Sequence, residues 1–170
     1  MDATDIVLGF ANLRDAHAIA TMSRDLIEAG LGWSYRTERI VGFIRAADTV
    51  VLVARRGRHR VGFAIMTFGE HRAHLVLMAV YPAYQRRGVG QGLVEWLVES
   101  ARVAGVTAVE VELRADNRAA HALYARLGFE PVSRIDGYYS GRESALRMVR
   151  ILRLAGIVGS PWRPPTHDSA

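Results

Sequence analysis

The repeat of hydrophobic positions changes several times along the chain, and each change marks an element. Ala16, Ile19, Ala20, Ser23, Leu26 and Ile27 recur at spacings of three and four after Asp15, which predicts an amphipathic helix ending at Gly30. In the following segment, GLGWSYRTERIVGFIR, the positions Ile40, Phe43 and Ile44 predict a loop and then a second, short helix. Trp33 and Tyr35 in that loop fit either a substrate lip or a cover over the core edge. Residues 49–54 and 61–68 are apolar runs on either side of RRGRHR, so they predict a β-hairpin turning at Gly57. After the turn GEHR comes LVLMAV, a run without alternation. A strand buried on both faces, central in its sheet, accounts for it.

Farther on, Leu93, Val94, Leu97, Val98, Ala101 and Ala104 form one helical stripe opposite Glu95, Glu99 and Arg102, and Gly105 ends it. AVEVELR alternates strictly, with Val109, Val111 and Leu113 on one face and Glu110, Glu112 and Arg114 on the other, as in a strand with one face in a core. ADNRAAHALYARLGF predicts a cap at Asp116 or Asn117, a short helix and a stop at Gly128. Two closing strands are expected near residues 130–135 and 145–152. The order αα-βββ-α-β-α-ββ, with room for an extra N-terminal strand, defines an α/β fold with one mixed sheet flanked by helices. Residues 1–158 are expected to form a single domain. Residues 159–170, with Pro161, Pro164 and Pro165, are expected to be a poorly ordered tail.

Composition narrows the chemistry. At 170 residues and 50% hydrophobic the chain is long enough to bury a core of its own. No stretch approaches the roughly 20 apolar residues of a membrane span, and the first residues lack a basic leader, so a soluble cytoplasmic protein without a membrane partner is expected. The absence of cysteine excludes disulfides, thiolate metal sites and any cysteine nucleophile. A net charge of +5 calls for an anionic partner, whether nucleic acid, a phosphate-bearing small molecule or an acidic protein. All 22 basic residues are arginine, which rules out a Walker A loop and its lysine.

The sequence QRRGVG, residues 85–90, stands where the central strand hands over to the long helix. Unpaired N–H groups and the positive end of the dipole make a helix start an anion site. Gly88 and Gly90 permit unusual φ values and close approach of an oxyanion, and Arg86 and Arg87 add charge. A pyrophosphate explains all four residues, whereas a bare strand–helix turn explains one glycine. The dinucleotide fingerprint would need a third glycine at Leu93, so a Rossmann site is disfavoured.

Two blocks, LMAVYPAYQRRGVGQGLVEWLVE and VELRADNRAAHALYARLGFEPV, resemble the signature blocks of the GNAT superfamily of acetyl-CoA-dependent N-acetyltransferases. They cover about half the chain, in the family's order. Within the superfamily the chain is most similar to the bacterial ribosomal-protein alanine N-acetyltransferases, through Glu112 and Arg114, ADN, Tyr124 and YYSGRESALRM. It departs from them in a shorter loop between Tyr139 and Gly141 and in its N-terminal third. The resemblance implies a central sheet splayed between two strands, acetyl-CoA as cofactor, no metal, and acetyl transfer to a primary amine without a covalent enzyme intermediate. It also implies site residues. Met78, Ala79 and Val80 would hold the pantetheine arm by their main chain. Gln85, Arg86, Arg87, Gly88, Val89, Gly90 and Gln91 would cradle the diphosphate. Asn117 would touch the pantetheine, although an ordinary N-cap explains it as well.

By the same resemblance Tyr124 is the general acid toward the departing thiolate, and Glu112 the general base. Glu110 lies on the same strand face about 7 Å away, so mutual repulsion is expected to raise the pKa of Glu112. His74 on the preceding strand competes for the role of base. Deprotonating an α-amine at pH 7 costs about 1 kcal/mol against roughly 4.6 for lysine, which favours a protein N-terminus or a small amino compound as acceptor. A homodimer is compatible with the chain. Two other functions fit parts of the pattern: a non-catalytic acyl-CoA-binding regulatory module, and a basic RNA-associated domain using RRGRHR.

Overall fold

The computed structural model describes residues 5–153; the expected tail at 159–170 lies outside them. Seven strands form one sheet in the order β1-β2-β3-β4-β5-β7-β6. They are β1 (Ile6–Phe10), β2 (Thr49–Arg56), β3 (His59–Phe68), β4 (Arg72–Val80), β5 (Ala108–Arg114), β6 (Glu130–Tyr139) and β7 (Glu143–Ile151). The helices are α1 (Ala16–Met22), α2 (Thr37–Arg45), α3 (Val89–Ala104) and α4 (Arg118–Arg126). The N-terminal strand for which the sequence left room is therefore present, paired antiparallel with β2.

Two core clusters lie on opposite faces of the sheet. Leu93, Leu97 and Ala101 of α3 pack on Leu52, Ala64, Leu75, Val109 and Val111, while Ile19, Met22 and Ile40 of α1 and α2 pack on Val51, Phe63, Ile65 and Leu77. β4 serves both, as its unbroken apolar run predicts. Its register against β3 jumps from Leu75↔Met66 to Leu77↔Ile65, leaving Val76 as a bulge. Before the bulge the odd positions face α3; after it Leu77 and Ala79 face α1 and α2.

All neighbouring strands are antiparallel except β4 and β5, whose parallel ladder runs only from Arg72↔Ala108 to Leu75↔Val111. Beyond those pairs the two strands part. The end of β4 thus keeps main-chain groups free on one side, and the end of β5 turns instead to β7, where Glu112 faces Arg147. This is the splay that the family resemblance implies.

Three expectations need revision. The first helix is shorter than its hydrophobic stripe, because α1 passes at Ser23–Ile27 into a π-helical turn closed by Glu28 N–H to Ser23 O at 2.8 Å. β6 runs to Tyr139 rather than stopping at 135. It is an edge strand with most side chains in water, so it carries no alternation to detect. Finally, RRGRHR is not a free basic turn. Arg55 and Arg60 donate to the carboxylate of Asp15, which is 0% exposed, and Asp15 also accepts from the Asn12 N–H.

Burial alone would raise the pKa of Asp15, but the Asn12 N–H and the two guanidinium groups outweigh it and hold the carboxyl below its ordinary value. Its contribution to stability is therefore complete above about pH 4 and is lost as pH falls through the depressed folded value. Asp15→Asn is expected to cost about 3 kcal/mol in urea unfolding at pH 7, near the lower limit for breaking a buried pair because both arginines keep some contact with water. The same variant should flatten the pH dependence of stability below pH 4.

Candidate active site

The 3-10 turn Pro82–Tyr84 and residues 85–88 link β4 to α3. Arg86 and Gly88 both adopt left-handed conformations, with φ of 63° and 81°. Arginine in this region costs roughly 1 kcal/mol or more, so the strained turn is a mark of function rather than of simple chain reversal. Gly88 is the N-cap of α3 and supplies no capping side chain, and the helical ladder starts with Gly92 N–H to Gly88 O at 2.9 Å. The N–H groups of Val89, Gly90 and Gln91 are left for a ligand. Gly90 is helical, contrary to the expectation of an unusual φ there. A Cβ on it would meet the side chains of Leu123 and Met78 at 3.5–3.8 Å, ordinary contact distances, so the position has room for a small side chain beside the helix start.

A cavity of about 1120 Å³ extends from this turn along the splay. Met78, Ala79, Val80, Gln85, Arg86, Gly88, Gly90, Gln91, Asn117 and Tyr124 all line it. Two residues of the expected set do not. The Val89 side chain is buried in the α3-side core, and Arg87 stacks over the Tyr84 ring at 5.8 Å. Gln85 also donates its side-chain amide to Val80 O at 2.9 Å, which ties the turn to the end of β4. Asn117 caps α4 by accepting the Ala120 N–H at 3.0 Å and borders the cavity as well, so its two readings coexist.

Tyr124 projects from α4 and is only 4% exposed. Its ring packs edge-on against Phe129 at 5.4 Å, and among the described residues its hydroxyl has no hydrogen-bond partner. Burial, with a smaller contribution from Tyr139, pushes the phenol well above its ordinary pKa. The proton is therefore firmly held until negative charge develops nearby, a steeper transfer than an ordinary phenol would offer.

At the far end of the cavity Glu112 and His74 are not rivals but partners: His74 Nε2 is hydrogen-bonded to Glu112 Oε2. Arg147 Nε donates to the other oxygen, Oε1, at 2.9 Å. The Glu112 side chain is 8% exposed. Burial by itself would raise its pKa, but the hydrogen bonds and charges of His74 and Arg147 prevail and lower it. The expected elevation through Glu110 is thus overturned, since Glu110 is paired with Arg72 while Glu112 is bonded to His74 and to the Arg147 guanidinium. Arg114, on the same strand face as Glu112, has partners elsewhere. It donates to Glu143 and to the carbonyls of Ile27 and Ala29, fastening the loop after α1 to the end of β5.

The mouth beside Glu112 is built by Tyr35, from the loop expected as a substrate lip or core cover, and by Glu28, Tyr138, Tyr139 and Ser140, to which the sequence assigned no role. Glu28, aimed inward by the π-helical turn, accepts from the N–H groups of Ser34 and Tyr35 and from the Ser23 hydroxyl. Tyr35, Tyr138 and Tyr139 line the mouth, and burial followed by nearby charges, Glu112 among them, raises all three phenols. Ser140 Oγ donates to Leu31 O at 3.0 Å, joining the β6–β7 loop to the α1–α2 loop. Trp33 belongs to the core edge, between the guanidinium groups of Arg24 and Arg36. Among the described residues no cluster of three or more His, Asp or Glu could hold a metal, and no helix is long and apolar enough to cross a membrane.

Several known proteins share these features. The ribosomal protein bS18-alanine N-acetyltransferase of Escherichia coli strain K12 is 42% identical over 89 residues, covering 51% of this chain and 60% of that protein. The N-alpha-acetyltransferase RimI of Mycobacterium tuberculosis is 42% identical over 92 residues, covering 51% and 55%. The chain thus spans little more than half the length of these curated relatives. In three dimensions, the crystal structure of the Escherichia coli ribosomal-protein-S18-alanine N-acetyltransferase superposes with a TM-score of 0.74 at 28% identity, over 90% of this chain and 97% of that one. The model of the acetyltransferase (GNAT) family matches residues 17–129, from α1 through the uncapped helix start to the end of the Tyr124 helix, and the chain belongs to that family.

Proposed function

We propose that the protein transfers the acetyl group of acetyl-CoA to the N-terminal α-amine of a protein, by direct attack and without an acyl-enzyme. One observation carries this reading: a single cavity runs from the free N–H groups of α3, past Tyr124, to the Glu112–His74 pair. The left-handed Arg86 and Gly88 and the uncapped helix start suit a diphosphate. The unpaired side of β4 at Met78–Val80 offers main-chain groups to an amide-bearing arm.

When bound, acetyl-CoA supplies an activated thioester and a thiolate leaving group. The chain's own residues do three things. Main-chain N–H groups along the end of β4 hold the acetyl oxygen, and Tyr124 gives its proton to the departing sulfur. The Glu112–His74 pair removes the proton of the amine. The tyrosine-lined mouth bridged by Ser140 and Leu31 admits an extended chain end more readily than a folded surface. The matched relatives named for protein N-termini favour that acceptor class. We place residues 1–158 in one such domain, acting in the cytoplasm.

A free-thiol release assay with acetyl-CoA tests the proposal. Peptides with N-terminal alanine or serine should turn over at pH 7 at least tenfold faster than lysine side chains or small polyamines, in keeping with the ~3.6 kcal/mol difference in deprotonation. Coenzyme A binding without turnover on any amine would instead establish a non-catalytic acyl-CoA-binding module. The RNA-associated alternative loses support because two of its four arginines are engaged by Asp15.

A further inference from the structure

We infer that His74 is the group that takes the amine proton, and that Glu112 and Arg147 are positioning residues that set its tautomer and its orientation. The inference deepens the acetyl-transfer reading and rests on it for the identity of the amine.

The two oxygens of Glu112 have different partners. Oε1 accepts from Arg147 Nε, a residue directly across the β5–β7 ladder. A guanidinium stays charged at any working pH, so its partner is held as the carboxylate, and a carboxylate can only accept hydrogen bonds. His74 Nε2, bonded to Oε2, must then be the donor. The ring is thereby fixed with its proton on Nε2 and its lone pair on Nδ1. Among the described residues Nδ1 has no hydrogen-bond partner, and His74 lines the cavity with 38% of its side chain exposed. Glu112, by contrast, is 8% exposed with both oxygens engaged. It is badly placed to meet an incoming ammonium, and its lowered pKa makes it a weaker base still.

The surrounding charges agree with this division. Glu112 is faced by His74 from β4, by Arg147 from β7, by Tyr138 and Tyr139 from β6 and by Tyr35 from the α1–α2 loop. His74 stands across the ladder from Glu110, whose charge is met by Arg72. The ammonium gives one proton to His74 Nδ1, and the neutral amine forms the C–N bond as the C–S bond breaks. Tyr124 protonates the sulfur, and the second proton shed by the nitrogen restores Tyr124. One proton leaves, passed from His74 to water.

Nitrogen-15 NMR of the imidazole in the full chain tests the tautomer without any need for turnover. The neutral His74 ring should carry its proton on Nε2, and Glu112→Gln, which removes the fixed acceptor, should let the Nδ1–H tautomer become populated. Arg147→Leu should weaken the preference for Nε2–H in the same direction, and Arg147→Lys should restore most of it. In turnover at pH 7, His74→Gln should lower kcat/KM about 30-fold, with a loss that shrinks as pH rises past the amine's own pKa. Glu112→Gln should lose less, since it leaves the proton acceptor itself in place. A proton on Nδ1, or a His74→Gln enzyme within twofold of wild type while Glu112→Gln is inactive, would overturn the assignment. Absence of turnover in the wild-type protein would instead strike the acetyl-transfer reading, and the NMR result would still decide the pairing.

Discussion

Tyr124→Phe is expected to lower kcat about 100-fold or more while leaving the dissociation constant of coenzyme A within about threefold. The substitution removes one oxygen and keeps the ring, whose packing on Phe129 and near-complete burial hold α4 in place. The hydroxyl supports no other contact among the described residues, so its loss should not propagate. What disappears is the proton donor to a thiolate, and only the departure of that thiolate needs it. Because burial raises the phenol above its ordinary pKa, the residue stays protonated throughout the neutral range, and the wild-type rate should show no decline assignable to Tyr124 below about pH 10. Single-turnover kinetics with calorimetry of coenzyme A binding would separate the two effects. If affinity falls in step with kcat, the residue shapes the pocket rather than the chemistry, and an unchanged kcat would remove it from the mechanism.

Gly90→Glu addresses the other end of the cavity and should weaken coenzyme A binding about 100-fold, a loss of ~2.7 kcal/mol. The site is chosen because the backbone tolerates it. Gly90 lies in the first turn of α3, and a Cβ there meets its neighbours at ordinary contact distances. A carboxylate at a helix N-terminus is electrostatically favourable for the helix itself, so thermal stability should be preserved or slightly raised. The same carboxylate would stand in the cavity near the free N–H groups and repel a diphosphate. Calorimetry would show the loss, and it should lessen at high salt where the added charge is partly exposed. Gly90→Ala, with no charge, should cost far less. Equal losses for alanine and glutamate would mean that space, not anion binding, is what the glycine provides.

The two predictions test features of unequal legibility. The turn we propose for the diphosphate could be read from QRRGVG because its geometry is local: a left-handed turn, an uncapped helix start and adjacent arginines are all set by neighbours in sequence. Tyr124 and Asn117 were legible for a similar reason, since a cap, a short helix and a glycine stop place them within a single turn-helix unit. The loop did not reveal which arginine faces the cavity. Arg86 does, whereas Arg87 turns to Tyr84, a choice made by the 3-10 turn that precedes them.

The acceptor end depended on partners far apart in the chain. Glu28 enters the mouth through a π-helical turn that mimics an ordinary helix in its hydrophobic spacing, and Ser140 reaches Leu31 across 109 residues. Tyr138 and Tyr139 sit on an edge strand whose exposed side chains leave no periodic trace.

By itself the sequence determined the order of elements, the central strand shared by two cores and the glycine-bearing start of the long helix, because each follows from periodicity or from hydrogen bonds within a few residues. Only the tertiary structure decided the protonation of the acceptor end. His74, Glu112 and Arg147 lie on three different strands, and it is the β4–β5–β7 pairing, with a parallel ladder that ends at Leu75 and Val111, that makes two candidate bases into one hydrogen-bonded pair and gives the carboxylate a cation. The charge state of a half-buried group depends on which neighbours share its low-dielectric surroundings, and strand register, not strand identity, chooses them.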